Sequence, residues 1–392
     1  MDKRLTDAAW LAREDLAGLV AALDGALRWV GGAVRDSLLG ASVKDIDAAT
    51  PLLPEQVIEL CRAAGIRTVP TGIDHGTVTA LLPGGPVEIT TLRHDVSTDG
   101  RRATVAFAQE WHEDAARRDF TINALYVDPV SREIFDYFGG LEDLAARRVR
   151  FIGDARQRIR EDHLRILRYF RFQARFGTTP ADAEAESACT ELAATLKGLS
   201  RERIGMECMN LLGLPAPAAT VARMAELGVL AVILPEADPA ALPPLIAAEQ
   251  AHTIAPDALR RLAALLPPDV TLAEQVASRF RLSGAQKKRL AQAAARDGLV
   301  GNPCALAYRL GEAGALDRLL IAGAPIAPLP GWPIPSMPLK GGDIVARGVK
   351  AGPMVARLLQ RLETRWIEAG FPDAQATTAL LDAVLAEDGG AA

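Results

Sequence analysis

Trp29-Val-Gly-Gly-Ala-Val-Arg-Asp36, followed by Lys44-Asp-Ile-Asp47, decides the reading of this chain. The apolar stretch Ala26 to Val30 predicts a strand that runs into Gly31–Gly32. Ala33 to Leu39 then predicts a helix stopped by Gly40, and Ile46 to Thr50 a second strand. Glycines between a strand and a helix let backbone N–H groups approach phosphates, and the helix N-terminus adds favourable charge. Arg35 lies in the first turn of that helix, within reach of a triphosphate. Asp45 and Asp47 are one residue apart, so on a strand both carboxylates point to one face. Two carboxylates on one face are costly unless a cation bridges them, and hard oxygen ligands suit Mg2+. A pair of such ions can activate a hydroxyl and stabilise a departing pyrophosphate. Alone, Gly-Gly is also a tight turn and Asp-x-Asp also a solvated acidic turn. Their order and nine-residue spacing from Asp36 to Asp45 make the combination far more specific than either part.

Outward from this segment, an early helix is expected over Asp7 to Leu23, and Pro54 to Ala64 reads as a helix opening on a proline. Thr77 to Leu82 and Val87 to Leu92 flank Pro83-Gly84-Gly85-Pro86, a hairpin signal. His94 to Glu110 is polar, charged and without clear periodicity, and reads as a mobile loop. Asn123 to Val127 and Glu133 to Phe135 read as a second short hairpin around Asp128-Pro129. After about Leu141, alanine, leucine and arginine dominate at helical spacing and strand signals nearly vanish. The fold class is therefore α+β: a mixed-sheet head over 1–142, then an all-helical remainder, divided into a neck at 143–215 and a body and tail at 216–392. Glu387 to Ala392 is expected to fray.

The 392 residues suffice for two or three domains. The first residues lack the apolar core of a signal peptide, and no apolar run is long enough to span a membrane. Cys61, Cys189, Cys208 and Cys304 are scattered without a Cys-x-x-Cys pair, which points to a reduced, cytoplasmic protein with neither disulfides nor a zinc site. A net charge of −5 does not suggest a nucleic-acid binder. Local charge does: Leu144 to Arg175 holds ten arginines against Asp154, Glu161 and Asp162. Such a basic segment is equally a solvated helix or a cradle for a phosphate chain.

Gly31-Gly-Ala-Val-Arg-Asp-Ser-Leu-Leu-Gly40 with Lys44-Asp-Ile-Asp47 resembles the signature of class II tRNA nucleotidyltransferases and bacterial poly(A) polymerases, members of the DNA-polymerase-β-like superfamily. The resemblance implies a palm-like nucleotidyltransferase head. In it Asp45 and Asp47 are catalytic and bind the metals, and Gly32 and Arg35 contact the incoming nucleotide. Arg117-Arg-Asp-Phe-Thr-Ile-Asn-Ala124 is similar to the family's ribose and triphosphate motif, which implies that Arg118 touches nucleotide and that Asp119 or Asn123 helps recognise the ribose. Glu161-Asp-His-Leu-Arg-Ile-Leu-Arg-Tyr-Phe-Arg171 resembles the family's base-reading motif. Leu164, Leu167 and Phe170 at three-residue steps support one continuous helix there. Asp162, Arg165, Arg168 and Arg171 drift about 60° per step around it, so they cannot share one narrow face. Asp162 and Arg165 are expected to meet the base, with Arg168 and Arg171 nearer phosphates or neck partners.

A carboxylate only accepts hydrogen bonds and a guanidinium only donates them. Cytosine and adenine each offer an amino donor beside a ring acceptor and fit an Asp–Arg pair. Uracil presents the reverse pattern and leaves both groups mismatched. A plain Asp162–Arg165 salt bridge is the alternative for this spacing. The resemblance implies an enzyme that adds CMP, CMP and AMP to the 3′ end of tRNA from CTP and ATP with Mg2+. Poly(A) addition is the alternative activity. tRNA, CTP and ATP are the expected partners, and nothing points to a membrane or to an obligatory protein partner. Glu88, on a predicted strand, is a weaker candidate for a third acidic group. The segment after His94 resembles a flexible loop thought to help switch from C to A addition.

Overall fold

The computed structural model describes residues 4–6, 8–99, 102–296 and 301–389. Backbone contacts divide the chain into two compact units, Met1–Ala240 with Arg279–Leu282, and Ala241–Ser278 with Ser283–Ala392.

The first unit opens with α1 (Glu14–Ala22), preceded by a short 3-10 turn at Ala9–Ala12 where one longer helix was expected. Asp7, the expected start of that helix, lies outside the described residues. Then follow β1 (Arg28–Val30), α2 (Gly32–Leu38), β2 (Ile46–Thr50), α3 (Pro54–Ala63), β3 (Arg67–Gly72), β4 (Thr77–Leu82) and β5 (Gly85–Thr91). After β6 (Arg93–Asp99), β7 (Arg102–Phe107) and α4 (Trp111–Ala116) come β8 (Leu125–Val127) and β9 (Ile134–Asp136). Seven strands form one mixed sheet in the order β3-β4-β5-β2-β1-β8-β9. Only β2 and β5 run parallel, with Asp47 in register with Glu88, and β1 lies on the other side of β2, with Val30 opposite Asp47. The central strand β2 thus carries its carboxylate between two neighbours. Its own interior, Ile46 and Ala48 to Thr50, is buried, the pattern of a strand covered on both faces.

Two expectations need correction here. His94 to Glu110 is not a loop: β6 and β7 pair antiparallel from Arg93↔Phe107 to Asp99↔Arg102, with a register shift between Asp95 and Ser97. A two-stranded ribbon is bonded through its backbone and requires no apolar face, so the alternation that marks a strand is missing from its sequence. Glu387 and Asp388 are not frayed either. The last helix runs to Gly389, and both acids pair with arginines of the preceding helix. Residues 390–392 lie outside the described part.

Helices then take over, as composition predicts: α5 (Gly140–Ala145), α6 (Ala155–Glu161), α7 (Arg165–Phe176), α8 (Ala183–Leu192), α9 (Arg201–Leu212), α10 (Ala218–Glu226) and α11 (Val229–Ile233). The sheet-to-helix junction is aromatic. Phe120 bridges Phe151 through the backbone, and its ring lies 5.0 Å from those of both Phe151 and Phe172. Phe120, Phe151, Tyr169 and Phe172 are all buried. This packing fixes α7 against the segment that carries Arg118 and Asp119.

The expected continuous helix over Glu161 to Arg171 is broken. Asp162 is extended (φ −149°, ψ 104°), and α7 begins at Arg165. The cause is the Asp162 side chain, which accepts the Leu164 N–H at 3.1 Å while its carbonyl accepts the Arg165 N–H at 3.0 Å. An aspartate that offers the backbone such a turn competes with the helix.

The second unit is helical among its described residues: α12 (Leu242–Ala251), α13 (Ala258–Leu265), α14 (Val270–Arg279, whose last residue falls in the first unit), α15 (Gly284–Ala294), α16 (Pro303–Ile321), α17 (Gly341–Val345), α18 (Pro353–Glu368) and α19 (Ala374–Gly389). Its interior holds a buried ion network: Arg260 bridges Glu249 at 2.8 Å and Asp317 at 3.0 Å, and Arg261 meets Glu249 at 2.7 Å. No helix among the described residues is long and apolar enough to cross a membrane.

Candidate active site

A cavity of about 550 Å³ in the first unit is lined by Gly31, Gly32, Arg35, Asp47, Arg118, Asp162, Arg165 and Arg168, which the sequence reading singled out. Segments more than a hundred residues apart in sequence converge there. Two expected residues lie elsewhere. Asp45 precedes β2 by one residue and is exposed, and Arg171 turns to a neighbouring helix.

The acidic side of the cavity is Asp47, half-buried on β2. Burial raises its carboxyl pKa, the nearby charge of Glu88 raises it further and Asp45 adds to this, while Arg118 opposes. Two neighbouring acids thus act on Asp47 with one cationic counterweight, and a hard divalent cation at Asp47 relieves that repulsion. Among the described residues no group of three His, Cys, Asp or Glu is placed to hold a metal. The donor set fits an ion held by one or two carboxylates, with substrate oxygens and water completing its shell, which is how Mg2+ is usually bound.

The opposite lip is glycine and arginine. Gly31 sits at φ 72°, ψ −123°, and a β-carbon there would lie 3.5 Å from Arg118 Nη1. This left-handed turn brings the backbone into the lining at no steric cost to glycine. Arg35 is more committed than its sequence position implies. It is 6 % exposed, donates from Nε to Asp36 at 2.8 Å, and donates from Nη1 to Asn123. Arg118 is fixed from behind: its Nε donates to the Tyr126 hydroxyl at 3.0 Å and its Nη2 to Asp114 at 3.1 Å. Asp114 is fully buried and also accepts from Tyr126 at 2.6 Å. Burial alone would raise its pKa; Arg118, Arg117 and Tyr126 more than offset that and hold it at about 2. Asp119 and Asn123, expected near the ribose, also line the cavity, and Asp119 is held by its neighbours. It accepts from Phe120 N–H at 2.8 Å, Asn123 at 2.9 Å and Arg168 at 2.9 Å. These partners outweigh its burial and keep the carboxyl well below the usual range.

The neck side holds Asp162 and Arg165, and they do not pair with each other. Arg165 donates from Nη1 to Glu161 at 2.7 Å and to the Arg158 carbonyl at 2.8 Å, and from Nη2 to the Arg117 carbonyl at 3.2 Å. Asp162 accepts from Arg203 on α9 at 2.7 Å. Arg171 donates to Glu207 at 2.6 Å, and Arg168 approaches Glu207 at 3.8 Å. Arg171 therefore braces α7 against α9. Arg203, Met206 and Glu207 also line the cavity, as does Phe172. Sequence reasoning gave none of them a role. The i, i+3, i+4 spacing of Arg203, Met206 and Glu207 places them on one helix face. Nothing local shows which helix that face meets.

Residues 27–150 match the family described as the poly A polymerase head domain, and residues 182–241 match the probable RNA and SrmB-binding site of polymerase A. The chain is 50% identical over 189 residues to the human mitochondrial CCA tRNA nucleotidyltransferase 1, a match covering 47% of this chain and 43% of the relative. It is 39% identical over 207 residues to the CCA-adding enzyme of Geobacillus stearothermophilus, covering 52% and 50%. These matches span about half the length of the curated relatives or less. The crystal structure of the Bacillus stearothermophilus CCA-adding enzyme in complex with CTP superposes with a TM-score of 0.78 at 27% identity, covering 96% of this chain and 98% of the other. The Thermotoga maritima CCA-adding enzyme complexed with tRNA shares the fold, with a TM-score of 0.70 at 21% identity and coverage of 99% and 100%. The first unit thus carries a match to the poly A polymerase head domain and nearly all of the match to the RNA-binding region, and CCA-adding enzymes stand among both the relatives and the structural neighbours of this chain.

Proposed function

We propose that the protein adds CMP, CMP and AMP to the 3′ end of tRNA from CTP and ATP, with release of pyrophosphate. The observation that carries this is the single cavity in which an acidic strand, a glycine–arginine lip and an Asp–Arg pair face one another. The family works with a divalent cation; we assign Mg2+, held by Asp45 and Asp47. When bound, the ion supplies charge stabilisation as the RNA 3′-hydroxyl attacks the α-phosphate and pyrophosphate departs. Gly32 offers its backbone to the triphosphate, and Arg118 presents Nη1, the end not tied to Asp114 or Tyr126. Arg35 shapes this lip from its buried position. Asp162 accepts from the amino group of cytosine or adenine, and Arg165 donates to the ring acceptor beside it through Nε and the Nη2 hydrogen it has left. Arg168 and Arg171 complete the nucleotide side of the neck, Arg168 from the cavity wall and Arg171 through its brace to α9. The division at 142 and 215 into head, neck, and body with tail belongs to this reading. It is supported by the change from sheet to helices and by the two separate family matches. We place the protein in the cytoplasm, which its four free cysteines suit and cell fractionation tests; the human relative is mitochondrial by name.

The test is extension of tRNA lacking its CCA end, read at single-nucleotide resolution with Mg2+ and CTP, ATP or both. Two additions with CTP and a halt at three with both are expected. A lengthening A ladder would make the protein a poly(A) polymerase, and no extension under any condition would sink the catalytic reading.

A further inference from the structure

The polar edge of a base accounts for Asp162 and Arg165, but a nucleobase also has two apolar faces to cover. The cavity has few side chains that can do so. Phe172 is the aromatic lining residue, yet it is 6 % exposed. Three guanidinium groups crowd its ring: Arg171 at 4.7 Å, Arg35 at 5.3 Å and Arg168 at 5.5 Å from the centroid. Leu164 is 3 % exposed and offers almost nothing. Met206 is 52 % exposed, although a side chain of its kind usually lies inside. It sits on α9 one helical turn beyond Arg203, which holds Asp162.

We infer that Met206 is the apolar contact for the face of the incoming base, a residue supporting nucleotide binding beside the edge-reading pair. The inference rests on the nucleotide-adding reading above. A thioether on three rotatable bonds is polarizable and adaptable. It follows a pyrimidine or a purine without preferring either, because it meets ring faces and not hydrogen-bonding edges. The contact therefore serves CTP and ATP alike, while discrimination against uracil stays with Asp162.

The experiment compares Met206→Ala, Met206→Leu and Met206→Gln with the unmodified protein. It measures kcat and KM for CTP and ATP on tRNA, calorimetric titration of each nucleotide without RNA, and thermal stability. The alanine and glutamine variants should weaken both nucleotides roughly five-fold, about 1 kcal/mol, with kcat and melting temperature unchanged, and leucine should retain most of the affinity. Unchanged nucleotide affinity in the alanine variant would overturn the inference, and so would a loss confined to the KM for RNA. An equal loss in the leucine variant accompanied by a lower melting temperature would mean a structural role and overturn it too. Failure of the unmodified protein to extend RNA would instead refute the proposed function, and the titration still reads the base contact.

Discussion

Replacing Glu207 by alanine should loosen the neck by about 2–3 kcal/mol. The residue is 3 % exposed and accepts from Arg171 Nε at 2.6 Å, with Arg168 at 3.8 Å. Removing one partner of a buried ion pair costs about 3–5 kcal/mol because the other charge stays behind. Here the stranded guanidiniums keep some water: the Arg171 and Arg168 side chains are 18% and 33% exposed, and Arg168 retains Asp119. That places the cost at or just below the lower end of that range. Glu207→Gln keeps an acceptor and loses the charge, so about 1 kcal/mol is expected. Native-state hydrogen exchange of α7 and α9 amides reads the change locally, which matters because a chain of two units need not unfold in one step. The double variant with Arg171→Ala decides the issue. If the pair is the cause, the two losses overlap by about 1–2 kcal/mol. Strictly additive losses, or unchanged exchange on α7, would refute the bracing argument.

Asp45→Asn and Asp47→Asn should each lower extension by at least ~10³-fold while nucleotide titration still shows binding; extension near the unmodified rate would remove both from the catalytic assignment. Arg203→Gln should free the Asp162 carboxylate and raise UTP misincorporation about tenfold, read as band ratios on extended tRNA. Asp114 lies at about 2, below the ordinary aspartate value near 3.9. The sign is that of a depressed carboxylate: its stabilisation is complete above about pH 4 and is lost as the pH falls toward 2, about 2–3 kcal/mol in all. Urea midpoints at pH 7 and pH 3 should therefore converge for Asp114→Asn more than for the unmodified protein. Gly31→Ala, forced into a left-handed backbone at φ 72°, should cost about 1–2 kcal/mol and raise the KM for nucleotide, whereas an unaltered melting curve would mean the turn relaxes freely.

The sheet and its acidic strand were legible because their signals are local. Ile46 to Thr50 was expected as a strand and is one, and the turn at Pro83 to Pro86 lies where β4 meets β5. Gly31 and Asp47 needed only strand periodicity and a glycine turn to be placed together. What escaped was set by pairing at a distance. The β6–β7 ribbon has no apolar alternation to reveal it. Arg35 lines the cavity, but its bond to Asn123 depends on a segment far away in sequence and is not legible from its helix position. Arg203, Met206 and Glu207 reach the cavity only because α9 packs beside α7, and neither helix contains that information alone.

The break after Glu161 is the most instructive of these misses. On one continuous helix Asp162 and Arg165 would stand three residues apart and satisfy each other, which is the ordinary fate of that spacing. A self-paired carboxylate and guanidinium present little to a base. The Asx turn at Asp162 removes it from the helix, and third parties then hold the two groups separately, Arg203 on one side and Glu161 with two carbonyls on the other. Each keeps unused hydrogen-bonding capacity at the cavity, and each is oriented before any ligand arrives. Pre-orientation is what lets a mismatched edge cost free energy, because groups free to swing could follow uracil as easily as cytosine. The feature that defeated helical periodicity is thus the one that an Asp–Arg reader of bases requires.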